Sequence, residues 1–168
     1  MAVALFTSLD EVRAHAGTHI GYSEWHQITQ ERINSFADAT GDHQWIHCDA
    51  ERAKSGPFGT TVAQGYLTLC LAIPLLSEIF QVTTAKLVIN YGLNKVRFPA
   101  PVPVGSRLRL GAFLKDAIDV PGGVQAVIDA TFEVEGGTKP VCVAEILLRD
   151  YVGDVVAQHA ADPHSAAV

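Results

Sequence analysis

The segment TTVAQGYLTLCLAIPLLSEIF, residues 60–80, constrains the fold more than any other part of the chain, because its apolar residues run around the whole circumference of a helix. Such a helix is ordinarily enclosed by other elements. Thr60 or Thr61 is the expected cap, and Pro74 lies far enough inside to impose a kink or a break. Two shorter elements separated by Pro74 are the alternative. Beyond Thr83 the pattern turns to strands. AKLVINYGLNKVRF, SRLRLGAFLKDAIDV, GVQAVIDATFEVEG and PVCVAEILLRDYV are long runs joined by the turn-rich PAPVPVG, PGG and GGTKP. Consecutive strands after helices point to an α+β fold, with one enclosed helix against one curved antiparallel sheet.

The amino-terminal part reads as short pieces. Ser8 and Glu11 form a capping box for a surface helix that stops at Gly17, and HIGYSEWHQIT is a plausible strand. Thr29 caps the next helix, with Glu31 in its first turn and Ile33, Phe36 and Ala37 on one face. That helix delivers the chain to Thr40-Gly41-Asp42. Asp49 can cap one further turn through Ala53, and KSGPFGTT reads as a loop. At 168 residues the expectation is one domain over 1–156, followed by a patternless, flexible tail at 157–168. There is no internal repeat and no interdomain linker.

A net charge of -6 without any Lys/Arg cluster argues against nucleic acid or anionic lipid as the main partner. Cys48, Cys70 and Cys142 cannot pair completely and lack C-x-x-C spacing, which disfavours a disulfide framework or zinc ribbon. Cys70 and Cys142 fall in apolar runs and read as core residues, and Cys48 has no obvious activating neighbour. The amino terminus lacks the basic region of a secretory signal, and the apolar run from Tyr66 to Phe80 is too short to span a membrane. A soluble, cytoplasmic protein is expected.

The chemistry-bearing stretch is FADATGDHQWIHCDAERA, residues 36–53. Asp42 and His47 would stand roughly 140° apart on a continuous helix, and on opposite faces of a strand. Only a bend can bring them together, and Gly41 permits one. They read as a functional pair or as ordinary loop and cap residues. His43, His47, Cys48 and Asp49 are possible metal ligands, but HQWIH lacks the glutamate of H-E-x-x-H, so no metal is expected. Gly65 falls in the first turn of the apolar helix. Either an oxygen approaches its backbone there, or the helix packs tightly on the sheet; the two are compatible. No G-x-S-x-G, Walker or G-x-G-x-x-G motif is present.

The series Phe36, Thr40, Gly41, Asp42, His47 and Ala53 resembles the signature of the MaoC-like, (R)-specific enoyl-CoA hydratase family, as do VAQGYLTL and NYGLNKVRFPAPVPVGSRLRL. The resemblance covers nearly everything except the tail, and GDHQWIH with NYGLNKVRFPAPV is most similar to the nodulation protein N-like branch. It implies a hotdog fold, a homodimer with active sites near the interface, and an acyl chain running along the central helix beside Tyr66, Leu69 and Ile73. It implies Asp42 and His47 as the catalytic pair, with the Gly65 N–H as oxyanion donor. Gln64, Tyr66, Asn90, Tyr91 and Arg97 are the implied pocket or thioester contacts. The implied reaction adds water reversibly to a trans-2-enoyl thioester without metal or redox cofactor, CoA being part of the substrate. A hotdog acyl-CoA thioesterase and a silent acyl-thioester binding protein are the rivals. The chain departs from many relatives in having Gln44-Trp45 for Asn-Pro and Gln64 for His; glutamine hydrogen-bonds but cannot titrate.

Overall fold

The computed structural model describes residues 4–153; the expected tail at 157–168 lies outside them. In chain order the elements are β1 (Ala4–Phe6), α1 (Leu9–Ala14), β2 (Thr18–Tyr22), β3 (His26–Gln27), α2 (Gln30–Thr40), α3 (Trp45–Cys48) and α4 (Ala50–Lys54). They continue with α5 (Gly65–Cys70), α6 (Ala72–Ser77), β4 (Phe80–Val82), β5 (Leu87–Arg97), β6 (Arg107–Val120), β7 (Gly123–Val134) and β8 (Cys142–Tyr151). The main sheet runs β2-β6-β7-β8-β5, with β3 also on β6, and its pairings are antiparallel. The short parallel pair of β1 and β4 was not expected from sequence.

Period-two patterning builds the core. Leu108, Leu110, Ala112 and Leu114 of β6, Val124, Ala126, Ile128 and Phe132 of β7, and Cys142, Ile146 and Leu148 of β8 all point to the helical side. The register sets Leu110 opposite Phe132 and Ile128 opposite Ile146, so these faces form one apolar floor. The opposite face holds charge pairs such as Arg109 with Glu133 and Lys115 with Glu145. The expected strand HIGYSEWHQIT is divided into β2 and β3. At the division Ser23 keeps contact with β6, its N–H donating to the Leu110 carbonyl and its hydroxyl accepting from the Leu110 N–H.

The central helix departs from expectation in three ways. Its cap is Gln64, not Thr60 or Thr61, because the chain stays extended through the bridge between Val62 and Pro103. The break falls at Leu71, between α5 and α6, three residues before Pro74. A proline ring crowds the carbonyl four residues earlier, here that of Cys70, so the helix divides just past that carbonyl. Nor is it enclosed by the other described residues: Leu67, Leu75 and Leu76 are buried, while Tyr66 is 69% exposed and Ile73 41%. Cys70 belongs to that open stripe, not to the core.

The turn that positions the site is the end of α2. Thr29 caps the helix by accepting from the Arg32 N–H, and Ile33 and Ala37 bury its inner face. Gly41 ends it in the left-handed region, at φ 79°, with its N–H on the Ala37 carbonyl. Gly41→Ala should therefore cost about 1 kcal/mol or more and lower Tm by roughly 2–4 °C per kcal/mol. Thermal melts of Gly41→Ala and Gly41→Asn check this, the asparagine losing less because it tolerates the left-handed region.

Candidate active site

Asp42 and His47 meet because the chain reverses at Gly41 and winds one turn as α3. The turn is pinned from two sides. The Gln30 amide donates to the His47 carbonyl (2.7 Å) and accepts from the Thr61 hydroxyl (2.5 Å), while the Val62 N–H donates to the Ile46 carbonyl (3.0 Å). One side chain at the start of α2 thus ties α3 to the strand-like segment entering α5. Trp45 anchors the turn outwardly, its ring against Gly56 and beneath the Arg52 guanidinium.

The His47 imidazole is buried and its tautomer follows from its surroundings. Nδ1 lies 2.6 Å from the Val62 carbonyl oxygen, which can only accept, so Nδ1 carries the proton. When the ring is neutral, Nε2 presents a lone pair toward Asp42, whose Oδ2 stands 3.9 Å away. That separation exceeds a direct hydrogen bond and suits one water gripped by both groups. Asp42 is half exposed, so solvent reaches the pair from its side.

The Gly65 N–H opens α5 and donates to no backbone carbonyl among the described residues. Gly65 lines a hollow of about 280 Å³ with Phe58, Ala63, Thr68 and Phe98. Gly65 also packs closely: a Cβ there would stand 3.1 Å from the Phe98 ring. Gln64 is buried, its amide nitrogen 3.4 Å from the Ile33 carbonyl and its Oε1 without a partner among the described residues. The remaining candidates are spread out. Tyr66 is exposed beside the Phe98 ring, Asn90 faces a cavity under α6, and Tyr91 stacks against the Arg149 guanidinium on the other face of the sheet. Arg97 donates to the Val96 carbonyl and borders an outer groove with Lys95, Lys115 and Glu145.

Burial raises the Cys48 thiol, and Asp38 and Asp42 raise it further, so it is no activated nucleophile. Burial pushes Cys142 up to about 12. Among the described residues no three His, Cys, Asp or Glu side chains gather as a metal site. No described helix is long and apolar enough to cross a membrane. Two residues of consequence escaped sequence reasoning. Gln30 carries no motif, and Asp150, almost wholly buried beside the cavity under α6, sits in a run that reads as an ordinary strand end.

Residues 11–134 match the family described as a MaoC-like domain. The chain is 57% identical over 145 residues to 3-hydroxyacyl-thioester dehydratase Z of Mycobacterium tuberculosis strain H37Rv, covering 86% of this chain and 96% of that protein. It is 40% identical over 141 residues to nodulation protein N of Rhizobium leguminosarum bv. viciae, covering 82% and 87%. Among solved structures, the unliganded R-hydratase of Pseudomonas aeruginosa matches with a TM-score of 0.67 at 21% identity, over 82% of this chain and 83% of that one, a likeness of fold. The observed α+β architecture is thus the hotdog fold that the sequence resemblance implies. By the extent of the domain match and the identity to these relatives, the chain belongs to the MaoC-like hydratase and dehydratase family and stands close to dehydratase Z and nodulation protein N.

Proposed function

We propose that this chain interconverts (R)-3-hydroxyacyl thioesters and trans-2-enoyl thioesters, with CoA carried as part of the substrate and no separate cofactor. The observation that carries the reading is the His47 lone pair held toward Asp42 at one-water distance. In the hydration direction, water bound between the two groups attacks C3 and gives up a proton, while C2 receives one. In the reverse direction C2 loses its proton and the C3 hydroxyl leaves as water. Microscopic reversibility makes these one catalyst. A carboxylate and an imidazole on one water can divide the two proton transfers, each worth roughly 10²–10⁴-fold. Enolate charge on the thioester oxygen falls to the Gly65 N–H, whose unused donor at a helix start supports a stabilisation of roughly 3 kcal/mol.

The identity to dehydratase Z favours this reaction over thioester hydrolysis, and the intact pair favours it over silent binding. Asp42→Asn and His47→Ala should each lower hydration of a short enoyl-CoA by about two decades or more, read as loss of enoyl absorbance. A thiol-reactive dye should stay silent throughout. Release of free CoA would assign the protein to the thioesterases instead.

The working form in this reading is a cytoplasmic homodimer of one domain over 1–156. Its support is a surface that no other described residues cover: β5 is an edge strand of eleven residues, and Tyr66, Ile73, Val88, Leu93 and Phe98 are exposed around it. A long free edge flanked by apolar side chains invites pairing with an identical strand, related by a twofold axis. Val88→Lys with Leu93→Lys should convert the dimer to monomer in sedimentation equilibrium; wild-type protein sedimenting as a monomer would remove this assembly.

A further inference from the structure

The pocket under α6 ends on a carboxyl that folding does not explain. A cavity of about 390 Å³ lies between α6, β4, β5 and β8, walled largely by Ile73, Leu76, Phe80, Val88 and Leu148. Four polar residues also line it, and two are engaged. The Ser77 hydroxyl donates to the Pro74 carbonyl, and the Gln81 amide donates to the Ser77 carbonyl. Asn90 and Asp150 remain.

Asp150 is 1% exposed, and its Oδ2 has no hydrogen-bond partner among the described residues. Its neighbours across the sheet are Val88 on β5 and Val124 on β7, neither of which can pair with it. Burial pushes its carboxyl up to about 6, and no cation among the described residues offsets the cost. A leucine would cover the same face without stranding a polar atom. Asn90, paired with Leu148, is the diagonal neighbour of Asp150 on this face. Such Cβ atoms lie roughly 7 Å apart, a gap one hydroxyl oxygen can bridge.

The cavity also has an approach. The open stripe of α5 and α6 passes from Gly65 through Tyr66 to Ile73, which is both its far end and a wall of the cavity. Eight residues of helix span roughly 12 Å, within reach of a medium-length acyl chain whose thioester sits at Gly65.

Resting on the dehydratase reading above, we propose that Asp150, with Asn90, makes the cavity selective for an acyl chain bearing a hydroxyl group near its distal end. The hydroxyl donates to Asp150 Oδ2 and accepts from the Asn90 amide. A plain hydrocarbon chain would displace whatever solvates the carboxyl and leave it unpaired, which is how polar sites reject analogues lacking the matching group.

The experiment compares trans-2-decenoyl-CoA with its ω-hydroxy counterpart in wild type, Asp150→Asn and Asp150→Leu, with crotonyl-CoA as a chain too short to reach the cavity. Wild type should favour the hydroxylated chain in kcat/KM by about 10-fold or more. Asp150→Leu should reverse that preference, and Asp150→Asn should keep part of it. Crotonyl-CoA turnover should stay within about twofold throughout, as fits a group outside the chemistry, and Tm of the leucine variant should not fall. Equal use of the two long chains by wild type, or an unchanged ratio in Asp150→Leu, overturns the proposal, as does a leucine variant that loses Tm and crotonyl turnover together. Failure of wild type on crotonyl-CoA overturns the reaction instead. In that event, thermal shifts with saturated decanoyl-CoA and ω-hydroxydecanoyl-CoA still read the selectivity, equal shifts counting against it.

Discussion

The hydrogen bond from the His47 imidazole to the Val62 carbonyl is the contact on which the site depends. It settles which nitrogen is basic, fixes the plane of the ring, and joins the turn after α2 to the segment that becomes α5. Val62 stands three residues before Gly65, so the same short stretch of backbone holds the imidazole and leads into the Gly65 N–H that opens α5. Removing the ring would strand a buried carbonyl at a cost of roughly 1–3 kcal/mol. The site and the packing around it are therefore one structure. Gln30 extends this logic, since its single amide satisfies the His47 carbonyl and the Thr61 hydroxyl together.

The two members of the pair are held unequally. His47 is enclosed and doubly constrained, through its carbonyl and through Nδ1, whereas Asp42 projects half into solvent. This asymmetry suits shared proton chemistry. The enclosed imidazole keeps one tautomer and one direction, and the open carboxylate keeps its contact with bulk water. The 3.9 Å separation leaves room for one water to bridge the two groups.

Much of this was legible in the sequence for local reasons. Gly41 announced the reversal that brings Asp42 back toward His47, and the apolar alternation in β6, β7 and β8 announced the sheet, since both signals act over a few residues. The failures share a different cause. The cap at Gln64 instead of Thr60 or Thr61 depends on Val62 being drawn into a bridge with Pro103, some forty residues away. The break at Leu71 reflects where a proline exerts its clash, one turn upstream of itself. The exposure of Cys70 and Tyr66 was hidden because composition records that a surface is apolar, not what covers it. Gln30 and Asp150 act through partners, or the lack of them, that only tertiary structure supplies.

The open face of α5 and α6 reconciles the fully apolar helix with a half-buried one. One side packs on the sheet through Leu67, Leu75 and Leu76, and the other offers an apolar track with a polar donor at its start and a stranded carboxyl near its end. Chemistry and chain recognition in this reading lie at opposite ends of the stripe formed by α5 and α6. In the proposed reading Gly65 would meet the charge that develops at the thioester, which is the same for every substrate, while Asp150 would meet only what distinguishes one acyl chain from another. Changes around Asp150 would then alter which chain is used without disturbing Asp42 and His47. Contacts at the far end of the helix track bear on ground state and transition state alike and leave the acid–base groups untouched.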